Sequence, residues 1–260
     1  SFKAVLLLFV LTTLTIALGG CSGDKKGDIS SQITIGIPQD LEDSLDPHKM
    51  VTAGTREVLF NIFEGLVKVT SDGDFVPAVA SSYEETEGGK VYTFTLRDNV
   101  KFHDGSTVTA EDVKFSLDKC ADTSAGEPLV AAFSNIDSVN ILDDKTVQVV
   151  LKEADTEFLA YMTTAIIPAS NADPDTNPIG TGPYKFVSRS PQENFVMERF
   201  DDYWGEPAYI KDVTFKICAN ADTIVMDLEG GSIDMFARVT STQAAELSDN
   251  FNVLEGTMNL

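Results

Sequence analysis

The chain has 260 residues, 43% of them hydrophobic, which is long enough for one or two domains with a real core and too apolar for wholesale disorder. Forty-one acidic against 19 basic residues leave a formal charge of -22, spread along the chain rather than gathered in a tail. Such a surface repels phosphate backbones and argues against nucleic-acid binding. It suits cationic ligands or a salty habitat, neither of which follows from charge alone.

The first predicted element is an export signal. Lys3 precedes an apolar run from Ala4 to Ala17, shorter than the roughly 20 residues of a membrane span and matched to a signal core. An uncleaved anchor helix is the alternative. Leu18 to Cys21, LGGC, resembles the lipobox of bacterial lipoproteins, in which the cysteine thiol is acylated and the peptide is cut just before it. Residues 1–20 are thus expected to be a lipoprotein signal peptide. The polar, Gly/Ser-rich residues 21–32 are expected to be a lipid-anchored tether on Cys21. Two acyl chains there give durable anchoring, whereas one is marginal. A chain that begins with Ser1 is expected to lack a few N-terminal residues.

ITIGIP, Ile33 to Pro38, predicts a strand, followed by the carboxylate-rich loop QDLEDSLDPHKM. In TREVLFNIFEGLV, Val58, Leu59, Ile62, Phe63 and Leu66 recur at helical spacing and predict one amphipathic helix. VYTFTLRDNVKF alternates strictly behind the turn EGGK, as the second arm of a hairpin that starts near Tyr83. SVNIL, DDKT and VQVVLK make a second hairpin, with Val139 and Ile141 pairing across it with Val147 and Val149. DTEFLAYMTTA reads as a helix, and NPIGTGPYKF is punctuated by Pro and Gly before a strand. Strands NFVMERF and IKDVTFKIC follow, then NADTIVMDLEGG, a helix stopped by Gly230 and Gly231. A short strand in SIDMFA and a hydroxyl-capped helix, STQAAEL, end the series. Strands and helices that mix without regular βαβ alternation predict an α/β or mixed-sheet α+β fold.

Signs of chemistry are sparse. KFHDGSTVTAEDVKFSL sets His103 beside Asp104, but Asp104-Gly105 is a turn dipeptide and Thr109 with Asp112 fits a capping-box-like helix start. Val113, Leu117 and Cys120 then form an apolar helical stripe, so only His103 is left without a structural task. A metal site needs three or four converging ligands, and the other histidine, His48, is more than fifty residues away. There is no G-x-S-x-G elbow, and GTGPY lacks the lysine of a phosphate loop. Neither a catalytic residue, a metal ligand nor a cofactor is expected, and the chain is expected not to be an enzyme. Cys120 and Cys218 are either bridged or buried as free thiols.

Five stretches stand in order behind the lipobox: VLFNIFEGLVKVTSDGDFVPAVASSYE, YTFTLRDNVKFHDGSTVTAEDVKFSL, IGTGPYKF, FDDYWG, and DVTFKI with ADTIVMDLEGGSIDM. Together they resemble the family 5 extracellular solute-binding proteins of ABC importers, the oligopeptide, dipeptide and nickel binding lipoproteins, from about Ile33 to near Leu260. The resemblance implies a periplasmic-binding-protein-like type II fold, in which two lobes joined by a hinge close on ligand. Residues 33–260 would be the first lobe, with a subdomain inserted at about 51–170 and the second lobe missing beyond Leu260. The charged residues that hold peptide termini in the family lie mostly in that missing part. What carries over is Pro38, Gln39, Asp40 and Leu41, at the position where family members present backbone to an extended ligand. Ala237 and Arg238, in the loop after SIDMF, are expected at the same cleft, and Tyr203 with Trp204 as a packing clasp.

The function implied is a monomeric substrate-binding lipoprotein that captures peptides and delivers them to ABC permease and ATPase subunits. It would sit at the outer face of the cytoplasmic membrane or in the periplasm, anchored through Cys21. Nickel chelate or another small solute is the alternative ligand. Two other classes compete: a metal-dependent hydrolase, which requires His48 and His103 to converge, and a structural surface lipoprotein.

Overall fold

The computed structural model describes residues 31–254 with the exception of 125, 238, 239 and 248. β1 (Gln32–Ile37) leads through a long loop to α1 (Ala53–Leu59), whose Thr52 hydroxyl accepts the Thr55 amide as an N-cap. β2 (Val67–Val69) and β3 (Phe75–Pro77) pair antiparallel. β4 (Ala80–Thr86) and β5 (Val91–Leu96) form the predicted hairpin, its turn placing Gly88 and Gly89 at φ of 64° and 88°. α2 (Ala110–Ala121) starts on a full capping box between Thr109 and Asp112. β6 (Ile136–Asp143) and β7 (Thr146–Leu151) make the second hairpin, with Val139 opposite Val149 and Ile141 opposite Val147. β8 (Tyr184–Ser190), β9 (Asn194–Arg199), β10 (Asp212–Ile217), α3 (Ala221–Glu229), β11 (Met235–Phe236) and α4 (Ser241–Leu247) complete the order. None of these helices is long and apolar enough to cross a membrane.

The elements form two sheets besides the β2–β3 ribbon. The antiparallel sheet β4-β5-β7-β6 buries Tyr92, Phe94 and Leu96 with Val147, Val149 and Leu151 against the Val113, Leu117 and Cys120 stripe of α2. Each such side chain contributes about 1.5–3 kcal/mol by leaving water. The mixed sheet runs β11-β1-β10-β9-β8, with β1 parallel to both its neighbours and the rest antiparallel. Its own core gathers Val58, Leu59, Ile62 and Phe63 with Phe195, Met197, Val213 and Phe215. Two free, buried thiols, Cys120 and Cys218, settle the cysteine alternatives against a bridge.

Two expected helices come out differently. α1 stops at Leu59, although Ile62, Phe63 and Leu66 are buried as their spacing requires. The carbonyls past that point accept from distant amides instead of from their own helix. Asn61 receives Tyr184, Ile62 receives Gly182, Glu64 receives Ile166, and Leu66 receives Ala78 and Ala80. DTEFLAYMTTA contains only a 3-10 helix, Phe158–Thr163. Residues 61–66 therefore form a junction, with Ile62 and Phe63 in one core and Leu66 in the other. A second tie joins the β1–α1 loop to α2, where the fully buried Asp46 carboxylate receives Lys119 at 2.7 Å.

The junction is close enough that a Cβ on Gly180 would collide with the Ile62 carbonyl oxygen. Gly180→Ala should therefore lower stability by about 2–3 kcal/mol, read as a leftward shift of the urea unfolding midpoint.

Candidate functional site

β1, β10 and β11 point their carboxyl ends the same way, and a cavity of about 550 Å³ opens beyond the ends of β1 and β10. Its walls are Pro38 to Glu42, Thr52, Gln192 and Ile217 to Ala219. Crevices outside strand carboxyl ends are where open α/β sheets take ligands. The wall after β1 is held from below by one guanidinium. Arg189 Nη1 donates to the Glu42 carbonyl at 2.7 Å and Nη2 to the Leu41 carbonyl at 2.8 Å, while Nη2 lies 3.3 Å from Asp40 Oδ1. Asp40 in turn accepts the Leu41 amide at 2.8 Å and the Gln192 amide at 2.8 Å. Gln192 sits at φ 64° in the β8–β9 turn, which aims its amide at that carboxylate. Burial alone would raise the Asp40 carboxyl, but these amides and the Arg189 charge hold it below the usual range.

Pro38, Gln39, Asp40 and Leu41 thus come together as one wall of this cavity. Ala237 is exposed just beyond β11, on the same side of the sheet, but does not line this cavity. Arg238 and Cys21 lie outside the described residues. The opposite wall, Gln192 and Ile217 to Ala219, and the supporting Arg189 have no signature in the sequence. SRSPQEN reads as an ordinary polar turn.

His103 and His48 are structural. His103 Nδ1 accepts the Gly180 amide at 3.3 Å, so Nε2 donates to the Gly182 carbonyl at 3.0 Å, and its ring meets Phe200 edge-on. Burial pushes its pKa down to about 4. His48 Nε2 donates to the Ala165 carbonyl at 2.8 Å, and burial likewise lowers its pKa. The two rings serve different carbonyls, and no group of three or more His, Cys, Asp or Glu among the described residues could hold a metal. Glu64 is the other polar centre and is half-buried: it accepts from Tyr203 Oη at 2.7 Å, Trp204 Nε1 at 2.7 Å and Thr181 Oγ1 at 3.2 Å. The expected clasp of Tyr203 and Trp204 is therefore hydrogen-bonded as well as packed. Burial raises the Glu64 carboxyl despite these donors.

Residues 74–258 match the family model described as bacterial extracellular solute-binding proteins, family 5 Middle. The chain belongs to this family. The relatives it matches are solute-binding proteins rather than enzymes. It is 29% identical to the oligopeptide-binding protein AppA of Bacillus subtilis, over 96% of this chain and 51% of that protein. It is 31% identical to the nickel-binding periplasmic protein of Escherichia coli, over 74% of this chain and 38% of that protein. Among solved structures, the periplasmic binding protein DppA of Helicobacter pylori, in complex with the peptide STSA, superposes with a TM-score of 0.77. That match has 26% identity and covers 84% of this chain and 48% of the other. The fold is accordingly that of a periplasmic binding protein, and the chain spans 38% to 51% of the length of these relatives.

The histidines of this family 5 protein give its stability a pH dependence. Both are neutral in the fold with pKa values below the ordinary 6.5, so their stabilisation is present above that value and is lost as pH falls. For His103 the loss accumulates to about 3 kcal/mol on going from pH 6.5 to about 4. Asp40 adds to it at the acid end, while Glu64, with its pKa raised, works against it. Chemical denaturation at stepped pH should show this slope, and His103→Gln should flatten it.

Proposed function

We propose that this chain is the first, solute-capturing lobe of the binding protein of an ABC importer, and that it takes peptides along the cavity wall Pro38 to Leu41. One observation carries the reading. Among the described residues, the amides of Gln39, Asp40 and Ala219 find no acceptor, although all three residues line the same cavity. Unpaired main chain beside a groove is what an extended peptide can pair with, gaining affinity with little dependence on its side chains. The relatives support this choice of ligand: one is an oligopeptide-binding protein and another was solved with a peptide bound. A nickel-binding relative keeps a small metal-bearing solute as the second reading.

The rest of the assignment is built on the same reading. Residues 1–20 act as the lipoprotein signal and 21–32 as the tether from lipidated Cys21, which holds the protein outside the cytoplasmic membrane. Residues of about 51–170 form the inserted subdomain; the core that runs from Leu66 to Ile166 supports the greater part of this division, whereas Val58 to Phe63 pack into the core of the mixed sheet. Ala237 extends the cleft beyond β11, and Arg238 is assigned to ligand binding on the family resemblance alone. The protein acts as a monomer and hands its solute to the permease and ATPase subunits without chemistry. Capture requires ligand to favour a closed state over an open one, so the closing surface contributes much of the affinity.

Short peptides carrying a photo-activatable diazirine should label residues 38–42 and 217–219, and labelling spread over the whole surface would contradict the site. Calorimetry on this chain alone should show binding no tighter than about millimolar, or about -4 kcal/mol. Micromolar affinity would contradict the division of binding between two lobes.

A further inference from the structure

Acidic residues outnumber basic ones by 41 to 19, yet two cations stand over one ring and a third lines the cavity beside it. The Arg97 guanidinium carbon stands 4.3 Å from the Trp204 ring centroid and the Lys68 ammonium 5.2 Å, within cation–π range. Lys145 joins them across a cavity of about 370 Å³, walled also by Ser81, Thr95 and Asp98. This cavity lies where β5 ends and β7 begins, and it shares no residue with the cleft at Pro38 to Ala219.

The cations here are under-used. Eight others, from Lys49 to Lys216, hold a carboxylate at 3.3 Å or less. Among the described residues, Arg97 and Lys68 make no ion pair, and Lys145 reaches only the exposed Asp98, at 3.6 Å. Arg97 spends Nε on the Ala78 carbonyl at 2.6 Å and Nη2 on the Pro77 carbonyl at 3.5 Å, which leaves Nη1 without an acceptor among the described residues. Lys145 Nζ donates only to the Arg97 carbonyl, at 3.5 Å. Glu64, on the indole nitrogen of Trp204, offsets one of the three positive charges, and Asp98 offsets a second. One positive charge is left at a cavity in a chain of net charge -22.

We propose that this cavity is a second binding site, for a small organic carboxylate. The carboxylate accepts from Arg97 Nη1 and Lys145 Nζ, a pairing in which guanidinium and ammonium supply the charge-assisted donors. Leu96 and the indole of Trp204 offer apolar surface to the carbon skeleton. The site does not depend on the peptide reading of the cleft, and failure of peptide labelling there leaves it standing.

Trp204 is the sole tryptophan of the sequence, so its emission reports on this cavity alone. Succinate titrated into the purified protein should change that emission saturably, and sodium chloride at matched ionic strength should not. Lys145→Gln, at a partly exposed residue with only long contacts, should weaken the apparent Kd about tenfold or more. Asp40→Ala, at the cleft, should leave it unchanged. A response to chloride equal to that of succinate, no saturation, or an unaltered Kd in Lys145→Gln would overturn the proposal. Saturation by hexaglutamate but not by succinate would overturn it as well, and would point to an acidic protein surface instead.

Discussion

A half-buried carboxylate, Glu64, is the hub of the joint between the two cores of this structure. Glu64 draws in Thr181 from the loop before β8 and Tyr203 and Trp204 from the loop after β9. Hydrogen bonds to a charged group contribute about 1.5–3 kcal/mol each, and here three of them offset part of the desolvation that raises the Glu64 carboxyl. The backbone of the same segment does the complementary work, since its carbonyls receive Gly182, Tyr184, Ile166, Ala78 and Ala80. Side chains two residues to either side point into different cores, Ile62 into that of the mixed sheet and Leu66 into that of the antiparallel one. His103 closes the joint from the other side by holding Gly180 and Gly182.

With the joint fixed, the cleft follows from strand order. β1 lies parallel between β10 and β11, so the chain leaving β1 must turn at the end of the sheet where β10 also ends. Arg189 then fixes the shape of that turn by collecting consecutive carbonyls, which leaves Gln39 and Asp40 with amides to spare. The cleft is thus made of main chain whose position is set by side chains behind it. That arrangement suits a family whose members take chemically varied solutes.

Much of this was legible in the residues, and the rest was hidden for identifiable reasons. Both hairpins and the capped start of α2 follow from local patterns: period-two alternation, Gly-rich or Asp-rich turns, and a Thr–Asp pair at capping distance. The overlong helix after Thr55 shows the limit of such patterns. Burial at 58, 59, 62, 63 and 66 is the same whether the backbone is helical or not, and only the distant amides that claim its carbonyls decide the matter. His103 was opaque for the same reason, since its partners lie 77 and 79 residues downstream. The Pro38 to Leu41 wall was found through family resemblance rather than through chemistry. Arg189 was not found because nothing in a polar turn announces which carbonyls, some 147 residues earlier, it will hold.

The most direct measurement is an amide NMR titration of wild type and Arg189→Gln with short peptides, read at Gln39, Asp40 and Ala219. The account predicts saturable shifts at these amides in the wild type and their loss in Arg189→Gln, with the signals of the antiparallel sheet unchanged in both. Peptide-induced shifts that are the same in both proteins, or that appear away from these residues, would contradict it.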